Sequence, residues 1–331
     1  MTRFVCFGEI LIRLTAPGRE LLLQSPQLIP YVGGAEANVA VSLARFGHDA
    51  RMVSVLPDNP LGEAALGEMR RRGLDTRFIA TGPGRMGLYF LSPGAGQRAT
   101  DITYDRTQSA FANLRADAID WPAALEGADW LHVSGVTPAL TAATADAALA
   151  AMKAARAAGV KVSYDANFRA KLWQARGDDP RPTLDALMAE ADLAFAEARD
   201  FALIAGQRFE SNADAIAAAF ARYPNLQRIA HTSRTPHSCD HNDLGAYMHT
   251  RGAHFRAPVK SLTGIVDRIG GGDAFAAGLL HGLATGFADQ SLLEYALAAA
   301  CLKHYIPGDA NLVSDEDVRF FIANPNADVR R

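Results

Sequence analysis

The chain has 331 residues, 49% of them hydrophobic, with 33 basic and 36 acidic side chains and a formal charge of −3. That is enough apolar material for a real core, and the near-balanced charge excludes a global attraction to nucleic acid or to an anionic membrane surface. Cys6, Cys239 and Cys301 are odd in number and far apart, the apolar start is interrupted by Glu9, and no stretch is long enough to span a bilayer, so a disulfide framework, a secretion signal and a membrane anchor are all excluded and a cytoplasmic protein is expected.

Residues 4–7 (FVCF) form an apolar run ending at Gly8-Glu9, the pattern of a buried first strand with a polar residue at its carboxyl end, where open parallel sheets hold ligands. Residues 10–31 are broken by Pro17-Gly18, Pro26 and Pro30, which predicts strands and turns outside the main sheet. In YVGGAEANVAVSLARFG (31–47), Gly33-Gly34 make a turn, and Val39, Leu43 and Phe46 recur at helical spacing up to Gly47. Glu36 and Asn38 fall in the first turn of that helix, as caps or as ligand-binding groups. Residues 87–106 alternate and turn through Pro93-Gly94, predicting a β-hairpin that joins 10–31 in a small sheet. Tyr104 and Arg106, two apart, share one face of it and offer a hydroxyl and a guanidinium to one ligand, or simply decorate the strand.

From 128 onward strand and helix alternate. A strand at 128–135 precedes an alanine-rich helix at 141–158, and the strand at 160–167 runs on through DANFRAKLW, which contains Arg169. Residues 192–200 make a strand followed by Glu197 and Asp200, and the strand at 226–233 ends in Thr232, Ser233 and then Arg234. This alternation predicts a three-layer α/β/α domain with a mostly parallel central sheet. The segment TSRTPHSCDHNDLGAYMH is predicted as a solvated loop, and its histidines and Cys239 show no convincing zinc spacing.

DRIGGGDAFAAGLLHG (267–282) sets Gly270, Gly271 and Gly272 directly before Asp273 and an apolar helix. Glycines allow positive φ and close approach, and the amides of a first helical turn attract phosphate. Asp273 is then either an ordinary cap or the base that deprotonates an attacking hydroxyl, and its apolar surroundings favour the base. The helix at 292–305 carries Ala298, Ala299 and Ala300, which admit either a flat adenine or a close helix neighbour. Ser314 with Asp317 opens a last helix, and the tail from 324 is expected to fray. No internal repeat or linker appears, so one domain over 1–331 is expected.

GGAEANVAVSLARFG and DRIGGGDAFAAGLLHG, in that order, resemble the two signatures of the ribokinase-like (PfkB) carbohydrate kinases. The GGGD form after Val266-Asp267-Arg268 is most similar to that of the 2-keto-3-deoxygluconate kinases, as are DANFRAKLW and KHYIPGDANLVS (303–314). The resemblance implies a ribokinase-like fold with a β lid from about 10–31 and 87–106, which excludes water and makes a dimer contact. It implies ATP-dependent phosphorylation of the C6 hydroxyl of 2-keto-3-deoxygluconate, with Mg2+ and optionally a monovalent cation.

Residue by residue, the resemblance implies Asp273 as catalytic base and Gly270, Gly271 and Gly272 as anion hole. It implies substrate contacts from Glu9, Gly33, Gly34, Asn38, Tyr89, Tyr104, Arg106 and Arg169, and ATP contacts from Thr232, Ser233, Arg234, Ala300 and Lys303. Glu197 and Asp200 stand where the family shows Asn-x-x-Glu, implying a water-mediated magnesium role. Two arginines converging with tyrosines suit a planar carboxylate, hence a sugar acid rather than a neutral sugar. A kinase for fructose or ribose and a non-catalytic sugar-acid sensor remain as alternatives, whereas a nicotinamide dehydrogenase is excluded because no Gly-x-Gly-x-x-Gly follows the first strand.

Overall fold

The computed structural model describes residues 1–324; positions 325–331, which make up most of the tail expected to fray, lie outside the described residues. In chain order the first half comprises β1 (Arg3–Phe7), β2 (Leu11–Thr15), β3 (Ile29–Gly33), α1 (Ala35–Arg45), β4 (Asp49–Pro57), α2 (Pro60–Arg71), β5 (Asp75–Gly82), β6 (Gly87–Ser92), β7 (Asp101–Asp105), α3 (Trp121–Ala124) and β8 (Trp130–Ser134). The second comprises α4 (Ala142–Ala157), β9 (Lys161–Asp165), α5 (Ala170–Arg176), α6 (Pro180–Ala189), β10 (Leu193–Phe195), α7 (Ala198–Ala205), α8 (Asn212–Arg222), β11 (Arg228–Ser238), β12 (His241–Thr250), β13 (His254–Thr263), α9 (Gly271–Thr285), α10 (Asp289–Lys303) and α11 (Asp315–Ala323).

A nine-stranded sheet runs in the order β13-β12-β11-β10-β9-β8-β1-β4-β5. It is parallel from β5 to β11, and β12 and β13 extend it antiparallel. Strands buried on both faces read as unbroken apolar runs, and β1 shows why. Its Phe4 and Cys6 enter the core under α1, α9 and α10, while Val5 and Phe7 enter the opposite core with Trp121, Met152 and Leu187. That alternation puts one helical layer on each face, the three-layer architecture that the strand–helix alternation predicts.

A second sheet of four strands, in the order β3-β2-β6-β7, stands outside the first. β2 and β6 pair parallel with Arg13 opposite Tyr89, and β6 and β7 pair antiparallel with Tyr89 opposite Tyr104. Leu11, Arg13, Tyr89 and Tyr104 therefore share the face turned to the large domain.

The segment expected to be a solvated loop is instead a long hairpin. β11 continues to Ser238 and β12 returns from His241, in register from Arg228 opposite Thr250 to Ser238 opposite His241. The period-2 burial of Asn242, Leu244, Ala246 and Met248 holds β12 on the core. The polar run Thr232–Thr235 hides this because its outward side chains face solvent or the cleft.

Candidate active site

The carboxyl ends of β1, β8, β9, β10 and β11 and the amino ends of α1 and α9 meet at one edge of the large sheet, facing the small one. Two cavities open there. One, about 480 Å³, lies between the sheets and is lined by Glu9, Gly34, Glu36, Asn38, Tyr89, Tyr104, Arg106, Arg268, Gly270 and Asp273. The other, about 520 Å³, is lined by Phe195, Glu197, Asp200, His231, Thr232 and Phe275. Asp165, Asn167, Arg169 and Gly272 line both, so the cavities adjoin at the start of α9.

Gly270 is the N-cap of α9 with φ 78°, a conformation open to glycine at little cost. The first intrahelical bond runs from Ala274 N to Gly270 O at 2.9 Å, which leaves the amides of Gly272 and Asp273 ahead of the hydrogen-bonded ladder. Around Gly272 there is open space, whereas Gly271 is packed against His304. The turn therefore presents main-chain N–H groups to the junction of the two cavities, where an anion is favoured by both the free donors and the helix dipole.

Asp273 stands at the third helical position, and its Oδ2 accepts from Asn38 Nδ2 at 2.7 Å. Burial pushes its carboxyl up to about 7, against the Asn38 bond and with help from Asp309. The amide oxygen of Asn38, Oδ1, is buried without a partner among the described residues and is free to accept from a ligand hydroxyl. Two further acids are raised nearby. Burial, then the Asp273 charge, lifts Asp165 to about 7. Burial also lifts Glu36 to about 7, although Glu36 accepts from Thr137 Oγ1 at 2.7 Å and Ser134 N at 3.0 Å. In all three, burial that disfavours the charged form is the main cause, and carboxyls raised together in one cleft mark a functional site.

Asn167, beside Asp165, has φ 34°, rare for a residue with a side chain; it donates to Ser134 Oγ at 2.8 Å. Glu197 is the N-cap of α7, and its amide donates to Asp200 Oδ2 at 2.7 Å, so one oxygen of Asp200 is spent on the helix start. Asp165, Glu197 and Asp200 line one cavity without closing on a single point. Among the described residues, the three-ligand group tight enough for one ion lies elsewhere, at His237, His241 and Asp243, which the β11–β12 hairpin brings together although their spacing gave no sign of it. An open carboxylate set suits a magnesium ion that keeps water and phosphate ligands.

The residues that the resemblance implies divide in this geometry. Gly34, Asn38, Tyr104, Arg169 and Asp273 line the first cavity with the three glycines. Glu9 and Arg106 also line it, but they hold each other: Arg106 Nε donates to Glu9 Oε2 at 2.8 Å, Nη2 donates to the same oxygen, and Ser109 donates to Glu9 Oε1 at 2.5 Å. Tyr89 donates its hydroxyl to Asp309 rather than leaving it free. Gly33 does not line the cavity; a side chain there would strike the Asp309 carboxylate.

The expected ATP contacts change more. Thr232 lines the second cavity. Ser233 points to the other face of β11, next to Gly245. Arg234 lines the first cavity together with Arg268, whose charge, after burial, lowers its pKa. Ala300 is buried in α10, and a methyl at Gly278 would lie 2.8 Å from Ala296 Cα, so the small residues serve the α9–α10 contact. Lys303 is wholly buried and lines neither cavity. Asp165, Arg268 and Asp309 were missed; only the Asp-x-Asn-x-Arg strand end of DANFRAKLW held a signal for the first.

A family model, pfkB family carbohydrate kinase, matches residues 1–313. The chain belongs to that family. Among pfkB family proteins, it is similar to the crystal structure of a 2-dehydro-3-deoxygluconokinase from Thermotoga maritima, at 37% identity and a TM-score of 0.91, over 97% of this chain and 98% of that one. A putative 2-keto-3-deoxygluconate kinase from Enterococcus faecalis is 31% identical with a TM-score of 0.93, over 100% and 99% of the two chains. A 2-dehydro-3-deoxygalactonokinase from Haloferax volcanii is 31% identical over 99% of this chain and 98% of its own. The ribokinase-like fold expected from the two glycine signatures is thus the fold of this pfkB family chain.

Proposed function

We propose that this pfkB family chain is an ATP-dependent sugar-acid kinase that phosphorylates the C6 hydroxyl of 2-keto-3-deoxygluconate (2-dehydro-3-deoxygluconate), giving the 6-phosphate and ADP. The observation that carries the proposal is Asp273, held by Asn38 at the mouth of the glycine turn where two cavities join. A hydroxyl entering from the first cavity reaches the carboxylate. A phosphoryl group entering from the second meets the amides of Gly272 and Asp273. Asp273 takes the hydroxyl proton as the oxygen attacks, and the amides and helix dipole carry the charge of the transferring group. Asp165, Asn167, Glu197 and Asp200 line the second cavity and would hold magnesium, partly through water, where it would supply charge neutralisation to phosphate oxygens.

An acid substrate is favoured by three guanidiniums lining the first cavity. Arg169, Arg234 and Arg268 have no carboxylate within salt-bridge distance among the described residues. That is more positive charge than a transferred phosphoryl group alone requires. Arg169 lines both cavities and shares the first with Tyr104 and the Glu9-held Arg106, groups whose planar donors suit a carboxylate. The neutral-sugar alternative draws on one observation, that Arg106 is already neutralised by Glu9. The two separate on Arg169→Met. A carboxylate clamp predicts KM for the acid raised about 10–10²-fold, the loss of a charged bond of about 1.5–3 kcal/mol, with kcat little changed. An unchanged KM sinks the clamp.

The small sheet is then the lid, covering the substrate with Leu11, Tyr89 and Tyr104. On its other face Leu14 and Leu88 pack on the main core, and Phe90 beside them is only partly buried; we assign the surface around Phe90 to a dimer contact. No helix among the described residues is long and apolar enough to cross a membrane, and the three cysteines are free, in keeping with a cytoplasmic enzyme. The reading includes no nucleic-acid or membrane partner.

A further inference from the structure

A buried cluster of charges lies directly behind the glycine turn. Lys303, the last residue of α10, is fully buried, and its ammonium donates to the main-chain carbonyls of Ile306 at 2.9 Å and Asp267 at 3.3 Å. The side chains of Asp267 and Asp309 are occupied by Arg13, at 2.6 and 3.1 Å. Asp267 also accepts from the amides of Ile269 and Gly308, each at 3.0 Å. Two cations and two carboxylates thus form one closed unit under the loop that leads into α9.

The end of α10 presses against that loop. The amides of Val266 and Asp267 donate to the His304 carbonyl at 2.9 and 3.1 Å. A methyl group at Gly271 would lie 2.8 Å from His304 Cε1, and one at Gly270 would lie 3.4 Å from Lys303 Cε and overlap the Asp309 carbonyl oxygen. Packing alone does not call for a lysine here. An ammonium is expensive to bury, and methionine, of similar length, would fill the space more cheaply. Burial pushes Lys303 down to about 8 while Asp267 and Asp309 oppose the shift, so the group keeps its charge at neutral pH. The charge binds carbonyl oxygens on the buried side of the loop. The loop held in this way spends the amides of Ile269 and Gly271 on Asp267 and Arg268 and delivers those of Gly272 and Asp273 free to the start of α9, and the positive charge adds to the field that an incoming phosphoryl group meets.

We propose that Lys303 is a positioning residue for phosphoryl transfer: its ammonium is a tethered cation that holds the loop 267–272 from behind, so that the free amides of Gly272 and Asp273 meet the phosphoryl group, and it makes a diffusing monovalent cation unnecessary. The proposal rests on the kinase function above and concerns a part of it that no substrate assay touches. Removing the charge should weaken transition-state binding more than substrate binding.

The test begins with the wild-type enzyme, assayed with potassium, sodium or choline as the sole monovalent cation. Equal rates are expected, and stimulation by potassium overturns the proposal. Lys303→Ala should lose about 10²-fold in kcat, the size of effect seen when one stabilising donor is lost, with KM for the acceptor nearly unchanged. Potassium or ethylammonium should restore part of that kcat and raise the melting temperature of Lys303→Ala, while leaving the wild type unmoved on both. Lys303→Met keeps the packing, and covers the case in which Lys303→Ala does not fold; it should show the same loss without rescue. Wild-type kcat in Lys303→Met, or a defect in Lys303→Ala that no cation relieves, shows a packing role and overturns the proposal. If the wild type turned over only a neutral sugar, the comparison would be made on that sugar, so failure of the substrate assignment and failure of this one are distinguishable.

Discussion

As the proposed base, Asp273 must lose its proton to act, and burial makes that loss harder. The free enzyme should therefore lose kcat/KM as pH falls through about 7, with the carboxylate form active above it. The same shift acts on stability. A carboxyl whose folded pKa lies above its unfolded value binds the proton more tightly in the folded state, so its contribution is full below about 4 and is lost as pH rises through about 7. Asp273→Asn should then cost about 10²–10⁴ in kcat and yet melt higher than the wild type at pH 8. Wild-type turnover in a folded Asp273→Asn protein excludes the base. Asp273 and Asn38 were legible because each sits in a glycine-led helix start, a local pattern. Asp309 and Arg268 gave no local sign; they reach the site from loops whose course only the packing of α10 under the turn decides.

At the level of elements, the small sheet is fastened to the loops around the start of α9 by Arg13 and Tyr89, which both reach Asp309. Arg13 on β2, 1% exposed, joins Asp267 and Asp309, and lies over the Tyr31 ring at 4.6 Å. Arg13→Ala leaves two buried carboxylates without that partner and should destabilise the protein by about 3–5 kcal/mol in a denaturant titration. A loss below about 1 kcal/mol, the value of an exposed ion pair, would mean that water reaches the cluster. The lid strands were legible from their alternation and proline breaks. For α10 the alanines left an adenine contact and a close helix neighbour equally open, and in the structure residues 295–301 are buried without a break, around the whole circumference. A helix enclosed on all sides has no face for adenine, and its lysine is available only to the interior.

Over the whole molecule, the parallel sheet brings groups from both ends of the chain to one edge, with Glu9 and Asn38 on one side and Arg169, Arg268 and Asp273 on the other. Strand–helix alternation made this architecture legible, since parallel strands need crossover helices and those cover both faces. The hairpin β11–β12 was not legible, because its outward residues are polar enough to pass for a loop. Arrangement of charge at the shared edge is what distinguishes an acid from a neutral sugar, and it should show directly in substrate choice. The decisive measurement is ADP release with ATP and magnesium on 2-keto-3-deoxygluconate, its galactonate epimer, fructose and ribose. A kcat/KM for the keto-deoxy acids at least about 10²-fold above that for either neutral sugar is predicted from the charged bonds at stake; equal or better use of fructose or ribose would contradict the sugar-acid assignment.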